Sequence, residues 1–234
     1  MSKQKEISAN DLAAIKPVTD SQQTVFDTWK EGKNQFLFGC AGTGKTFVSL
    51  YLALQDVMNL QTKYDKVILV RSLIPTREIG FLPGDEEDKA ALYQVPYQNM
   101  VKFMFEQPNE QSFNMLYDKL KNQGSLYFLS TSFLRGLTFD NSIIIVDECQ
   151  NLNFHELDTI TTRVGQDSKI IYCGDFSQTD LLKQNERNGL HDFLRILEEM
   201  QEFNCVEFNI GDIVRSGFVR NYLIQKTKLG MGME

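Results

Sequence analysis

The sequence has little of what a structural metal site or a disulfide framework requires. Its four cysteines occur singly, none in a Cys-x-x-Cys pair, and only two histidines are present among 234 residues. A structural zinc site needs four such ligands at short, regular spacings, so the composition argues against one. Unpaired thiols are typical of a reducing compartment, and we therefore expect a cytoplasmic protein.

Long hydrophobic runs are also missing. A membrane-spanning helix needs about 20 consecutive apolar residues, and the most apolar segment, 143–146 with its flanks, is far shorter. The first ten residues are polar and contain no apolar signal-peptide core. We therefore expect no membrane partner and no targeting segment.

Basic residues are in deficit as well. The chain has 24 Lys and Arg against 31 Asp and Glu, a formal net charge of −7. Binding nucleic acid through bulk charge needs clustered cations, so this balance argues against it. A local basic groove remains compatible with the composition.

Six short apolar runs alternate with longer amphipathic stretches. The runs predict strands at 35–38, 67–70, 126–129, 143–146, 169–173 and 206–208. The stretches between them predict helices at 21–30, 45–58, 97–106, 111–122, 154–164, 189–200 and 212–228. This alternation predicts an α/β fold, a mainly parallel sheet with helices on both faces.

The length and the even pattern predict one domain. We expect a flexible N-terminus over residues 1–16 and a single domain over residues 17–234. Residues 72–96 contain several prolines and an acidic run, and predict a long irregular loop. A loop of that length in a compact domain usually has a function.

The strongest motif follows the first predicted strand and opens the second predicted helix. It matches GxxxxGK[ST], the P-loop that wraps nucleotide phosphates with backbone N–H groups at a helix N-terminus. The lysine would bridge the β and γ phosphates of ATP, and the last hydroxyl would ligate Mg²⁺. The motif consists of Gly39, Cys40, Ala41, Gly42, Thr43, Gly44, Lys45 and Thr46.

Two carboxylates follow the most apolar strand. Asp147 and Glu148 come directly after residues 143–146, about a hundred residues downstream of the P-loop. We expect Asp147 to support Mg²⁺ and Glu148 to polarise the attacking water. A base aimed at water favours ATP hydrolysis over phosphoryl transfer to a metabolite.

Two glutamines complete the predicted site. Gln178 lies in Gly-Asp-Phe-Ser-Gln directly after the fifth predicted strand, where its amide would sense the γ-phosphate. Gln22 lies at the start of the first predicted helix and would read adenine through its amide. The alternatives are a simple turn for Gln178 and an ordinary surface glutamine for Gln22.

These residues together resemble the PhoH-like ATPases, single-domain relatives of superfamily-one helicases, over residues 17–224. The resemblance rests on Gln22, GCAGTGKT, VRSLIPTREIGFLPGD, FLRGLTFDNSIIIVDECQN, RVGQDSKIIYCGDFSQTDL, NGL and DIVRS, in that order. It implies a three-layer RecA-like core, ATP hydrolysis and a role on RNA. Superfamily-one helicases complete this site with an arginine from a second RecA-like domain, for which the chain is too short.

An arginine of the chain must then neutralise the transition-state charge, either in cis or from a neighbouring subunit. Arg215, in the DIVRS motif, is the first candidate and Arg135 the second. We predict that Arg215 acts across the interface of a head-to-tail ring, a homo-oligomer for which a hexamer is one option. A surface salt bridge is the alternative role for either arginine.

The sequence thus favours a Mg²⁺-dependent ATPase that moves or remodels single-stranded RNA or DNA. One alternative is a nucleotide-gated protein-binding module with slow hydrolysis, and another is a small-molecule kinase. A nucleic-acid groove could use cations and stacking aromatics along 63–102, and scattered lysines with packing aromatics are the competing interpretation. The groove candidates are Lys63, Lys66, Arg71, Arg77, Phe81, Lys89, Tyr93, Tyr97 and Lys102.

Overall fold

One parallel sheet forms the centre of the computed structural model, which describes residues 6–72, 86–131, 134, 136–175 and 184–229. The strands are β1 (Asn34–Gly39), β2 (Lys66–Arg71), β3 (Leu126–Ser130), β4 (Ser142–Val146), β5 (Lys169–Gly174) and β6 (Phe203–Phe208). They lie in the order β3-β2-β4-β5-β1-β6, and every pairing is parallel. All six predicted strands are confirmed.

Helices follow the strands in the predicted alternation. They are α1 (Asp20–Trp29), α2 (Lys45–Met58), α3 (Glu86–Met104), α4 (Glu110–Asn122), α5 (Phe154–Thr161), α6 (Gln184–Glu199) and α7 (Gly217–Lys228). The prediction for α2 agrees with the structure at both ends. No helix in the described part of the chain is long and apolar enough to cross a bilayer.

The sheet is covered on both faces, which is why its strands read as unbroken apolar runs. Ile143 and Ile145 of β4 pack with α1, α2, α3 and α4 in one core cluster. Ile144 and Val146 point the other way and pack with α5 and α6. The three-layer α/β architecture is therefore confirmed.

Helix α3 begins earlier than the sequence predicts. The expected irregular stretch 72–96 is wrong from Glu86 onward, because the helix runs through Pro96. Residues 73–85 lie outside the described part. An interior proline costs about 3 kcal/mol, and burial of Tyr97, Val101 and Met104 in the core offsets it. Helix α7 in turn starts at residue 217, after a 3-10 turn at 210–212.

The segment before α1 is packed where the structure describes it. The sequence predicts a flexible N-terminus over residues 1–16, but residues within 7–15 contact the core. Ile7 is only 5% exposed, the Ala13 N–H donates to the Met104 carbonyl at 2.8 Å, and the Ile15 N–H donates to the Tyr51 hydroxyl at 3.2 Å. A few apolar residues among polar ones are enough to pack this segment against the core.

A buried lysine lies at the amino-terminal end of β5, on the side of the sheet away from the P-loop. Lys169 opens β5, is 1% exposed, and donates to the Trp29 carbonyl at 3.2 Å. Its ammonium lies 4.0 Å from the centroid of the Trp29 ring, whose N–H donates to Asp56 at 2.9 Å. Burial lowers the pKa of Lys169 from 10.5 to about 8, while Asp56 opposes that shift.

This shift predicts a stability that rises with pH. Between pH 8 and 10.5 the unfolded chain holds the Lys169 proton more tightly than the folded chain, so raising the pH favours folding. From pH 7 to 9.5 we expect the free energy of unfolding to gain about 2 kcal/mol relative to Lys169→Met. Urea unfolding of both proteins at the two pH values measures the difference, and subtraction removes the titration of other groups. If the free energies of unfolding of wild type and Lys169→Met changed equally with pH, the prediction would be contradicted.

Candidate functional site

The P-loop motif connects β1 to α2, as the sequence predicts. Gly39 ends β1 with φ +113°, and Gly42 and Gly44 have φ +73° and +86°. Positive φ favours glycine, since a side chain would strain the turn. A Cβ atom on Gly39 would also collide with the backbone carbonyl oxygen of Phe208 on β6. The glycines therefore permit both the turn and its close contact with the neighbouring strand.

Lys45 folds back onto this loop. Its ammonium donates to the carbonyl oxygens of Gly39 at 2.8 Å and Cys40 at 2.7 Å. Burial lowers the pKa of Lys45, while the nearby carboxylate of Asp175 opposes the change. The lysine is thus a poorly solvated cation at the loop, an arrangement that favours an anionic partner.

The predicted acidic pair lies beside the P-loop, although β4, the strand that precedes the pair, is not adjacent to β1. Strand β5 separates β4 from β1, and side chains span the gap. The Thr46 hydroxyl donates to Asp147 Oδ1 at 2.6 Å. The structure therefore brings together the two oxygens that the sequence assigns to Mg²⁺, and hard oxygen ligands at one point fit that ion.

Glu148 has an unusual backbone conformation. Its φ and ψ are 52° and 42°, in the left-handed region, which is rare for a residue with a side chain. Its carboxylate accepts from the Gln150 amide at 2.6 Å. Burial, reinforced by the neighbouring charge of Asp147, raises the pKa of Glu148.

Gln150 is a site residue that the sequence did not single out. It is 2% exposed, and its amide oxygen accepts from the backbone N–H of Asp175 at 3.0 Å. One side chain therefore connects Glu148, after β4, to the end of β5. The only signal was its place in the Asp-Glu-Cys-Gln segment, which suggested no contact.

Tyr97 and Arg71 also reach the acidic pair. The Tyr97 hydroxyl donates to Asp147 Oδ2 at 2.7 Å; burial raises its pKa, and the charge of Arg71 opposes that change. Tyr97 is 2% exposed, so its predicted role as a stacking surface for bases is wrong. Burial lowers the pKa of Arg71, but Tyr97, Asp147 and Glu148 outweigh it and the net pKa is raised.

The proposed basic groove does not form in the described residues. Lys66 and Arg71 stand at opposite ends of β2, about 17 Å apart at 3.3 Å per residue. Lys63 pairs with Asp167 at 3.4 Å, and Lys102 pairs with Glu110. The competing interpretation, scattered lysines, fits these positions. Residues 77 and 81 lie outside the described part.

Gln22 contacts the P-loop itself. It is 5% exposed, its amide nitrogen donates to the Thr43 carbonyl at 2.9 Å, and its amide oxygen accepts from the Val18 N–H at 3.0 Å. An amide has a second N–H and a second lone pair. The adenine contact stays a prediction, while the hydrogen bond to the loop is observed.

Arg215 lies against the P-loop of its own chain. A Cβ atom on Gly42 would lie 3.0 Å from Arg215 Cγ and 3.3 Å from Nε. The adjacent Val214 N–H donates to the Gly42 carbonyl at 3.0 Å. This placement disfavours the prediction that Arg215 reaches a neighbouring subunit. Gln178 and Arg135 lie outside the described residues, so their roles stay predictions.

Comparisons with known proteins fit this geometry. The PhoH-like protein family matches residues 14–225. A PhoH-like protein of Synechocystis is 33% identical over 79% of this chain and 54% of its own length. Protein PhoH of Escherichia coli is 33% identical over 80% of this chain and 51% of its own length. The chain thus spans about half the length of these curated relatives.

A solved structure shares the fold. The large terminase of a thermophilic bacteriophage aligns with 90% of this chain and 50% of its own, with a TM-score of 0.50 and 13% sequence identity. That likeness concerns the fold alone. The family match covers almost the whole described chain, including the P-loop and the acidic pair. The chain belongs to the PhoH-like protein family.

Proposed function

We propose that this chain is a Mg²⁺-dependent ATPase that drives the movement or remodelling of single-stranded nucleic acid, with RNA as the first candidate. The observation that carries the hydrolytic part is the 2.6 Å contact between Thr46 and Asp147. It joins the loop to Asp147, the first residue of the acidic pair, and Glu148 follows directly in the chain. Solvent water is then the expected acceptor of the phosphoryl group.

Each residue has a distinct task in this proposal. The loop N–H groups and Lys45 hold the β and γ phosphates. Thr46 and Asp147 would hold Mg²⁺, which supplies positive charge to the phosphate oxygens. Glu148, held by Gln150, orients water and takes its proton. Gln178 senses the γ-phosphate, and Gln22 reads adenine while holding Thr43.

The test of function is the ATPase rate with no polymer, with RNA and with single-stranded DNA, each at two salt concentrations. A motor is expected to be stimulated by its polymer, less so at high salt, because phosphate contacts release counterions. Slow turnover that no polymer changes would instead support the nucleotide-gated protein-binding module. Loss of ATP only when a small acceptor is added would support the kinase.

A homo-oligomer is part of the proposal. Phe218 and Tyr222, one turn apart on α7, are 83% and 62% exposed, and Leu229 just beyond them is 67% exposed. This apolar face lies next to the segment that carries Arg215, and a second copy would remove it from water. Sedimentation over a range of concentrations tests this; a monomer at concentrations that give full ATPase activity would rule it out.

We further propose that Arg215 neutralises charge in cis, because its side chain already lies against Gly42. Arg215→Ala should bind ADP normally and hydrolyse ATP about 10²-fold more slowly, as for loss of one transition-state donor. Arg220→Ala, an exposed arginine of α7, is the matched control. Mixing Arg215→Ala with Lys45→Ala subunits should restore no activity, since neither chain holds both groups. Recovery in the mixture would show that Arg215 acts in trans.

A further inference from the structure

Tyr97 contacts the acidic pair from outside the motifs that define the site. It lies on α3, 50 residues before Asp147 in sequence, and its hydroxyl donates to Asp147 Oδ2 at 2.7 Å. A buried tyrosine usually needs some hydrogen-bond partner. Here that partner is the carboxylate assigned to Mg²⁺, so the bond acts on the position of a metal ligand.

The Asp147 carboxylate is held at both oxygens. Oδ1 accepts from the Thr46 hydroxyl at 2.6 Å, and Oδ2 accepts from Tyr97. Its backbone N–H donates to the Val70 carbonyl at 2.9 Å, which fixes the main chain but not the side-chain torsions. The two hydroxyl groups therefore determine the direction of the carboxylate.

These two hydroxyl groups are not equivalent once Mg²⁺ binds. The Thr46 hydroxyl is itself a metal ligand in the proposed site, so it would have to give an oxygen lone pair to Mg²⁺ while its proton bonds to Asp147. Tyr97 has no such second task and can keep its bond throughout. We propose that Tyr97 is a positioning residue that aims Asp147 at Mg²⁺, an inference that rests on the proposed function.

The surroundings of Tyr97 suit this role. Its ring lies 5.7 Å from the Phe128 ring on β3, and it is almost fully buried. Arg71 at the end of β2 stands 5.7 Å from the Tyr93 ring, one turn earlier on α3, and its charge acts on the Tyr97 hydroxyl. Packing and a cation thus fix the phenol, and outer contacts of this kind tune metal affinity.

The experiment is the Mg²⁺ dependence of ADP binding by Tyr97→Phe, measured by titration calorimetry with EDTA and over a Mg²⁺ series. Without Mg²⁺, ADP affinity should stay within about 2-fold of wild type, since among the described residues Tyr97 reaches the P-loop only through Asp147. The Mg²⁺ concentration for half-maximal tightening should rise about 10-fold, as for a lost outer-shell contact. With Ca²⁺, which tolerates irregular geometry, the rise should be smaller.

Tyr172→Phe is the matched control. It removes a buried hydroxyl whose partner, Thr161, is also 2.7 Å away, on the other face of the sheet. Its Mg²⁺ midpoint should equal that of wild type. An unchanged midpoint in Tyr97→Phe would overturn the inference, and so would an equal rise in both variants. Failure of wild-type ADP binding to respond to Mg²⁺ would instead refute the proposed metal site, and this inference with it.

If Tyr97→Phe is too unstable for calorimetry, the midpoint can be read from thermal unfolding in the presence of ADP. Ligand binding to the folded state raises the unfolding temperature, so a Mg²⁺ series gives the same midpoint. The Mg²⁺ midpoint should be higher for Tyr97→Phe than for Tyr172→Phe, and the midpoint of Tyr172→Phe should equal that of wild type. Any other order contradicts a positioning role for Tyr97.

Discussion

Lys45→Ala is expected to abolish detectable binding of ATP and ADP while the chain remains folded. In the structure the Lys45 ammonium donates to neutral oxygens of the loop, the carbonyls of Gly39 and Cys40 and, at 3.5 Å, the Thr43 hydroxyl, and burial lowers its pKa. A phosphate gives it a charge-assisted partner, which is a stronger bond than a neutral one. Without the lysine, the phosphates lose the buried side-chain cation of the P-loop itself.

Calorimetry and nucleotide-dependent thermal unfolding measure this loss. At 100 times the dissociation constant, ADP should add about 2.7 kcal/mol to the stability of the wild-type protein and nothing to Lys45→Ala. Lys63→Ala, which removes an exposed lysine paired with Asp167, is the control and should bind as wild type does. Unchanged affinity in Lys45→Ala would show that the P-loop assignment is wrong.

The sequence predicted the fold well because the dominant signals were local. Strands covered on both faces are short unbroken apolar runs, and the P-loop sets the start of α2 at Lys45. The errors arose where packing outweighs local pattern. Pro96 is a helix breaker by itself, yet α3 continues through it because the following turns are buried. Ile7 gave no periodic signal but is buried.

The residues of the candidate site also fall into two groups, those that a local motif reveals and those that only the packing of the chain brings in. Gly39 to Thr46 and the pair Asp147 and Glu148 are contiguous motifs, so sequence alone was enough to predict them as site residues. The residues that hold them came from distant positions, and nothing in a single sequence indicates that Tyr97 faces Asp147. Gln150 was adjacent to a motif, but its bond to Asp175 depends on β5 lying beside β4.

Arg215 shows what topology adds to a motif. The sequence placed it near the end of the chain, where a role toward a neighbouring subunit was a reasonable prediction. Because β6 pairs with β1, the chain after β6 returns to the P-loop, and Val214 bonds to Gly42. Strand order, which single-sequence patterns do not reveal, thus brings the arginine against the P-loop of its own chain.

Glu148 is the residue on which hydrolysis should depend most. It lies directly after Asp147, its carboxylate is oriented by Gln150 at 2.6 Å, and its backbone is left-handed. A non-glycine residue in that region costs about 1–3 kcal/mol and persists where the surroundings enforce it. Its raised pKa, caused first by burial and then by Asp147, makes it a better proton acceptor than an exposed glutamate.

Glu148→Gln should therefore separate binding from chemistry. Glutamine keeps the size of the side chain and can still accept from Gln150 through its amide oxygen, but it cannot take a proton from water. Nucleotide affinity should stay close to wild type, while ATP turnover should fall by about 10²- to 10⁴-fold, the range for a lost general base. Single-turnover hydrolysis and ADP calorimetry on the same preparation measure the two quantities.

Glu207→Gln removes one exposed carboxylate of β6 and should change neither. Near-normal hydrolysis by Glu148→Gln would place the base on another residue, whereas parallel loss of binding and turnover would mean that Glu148 acts on the shape of the site.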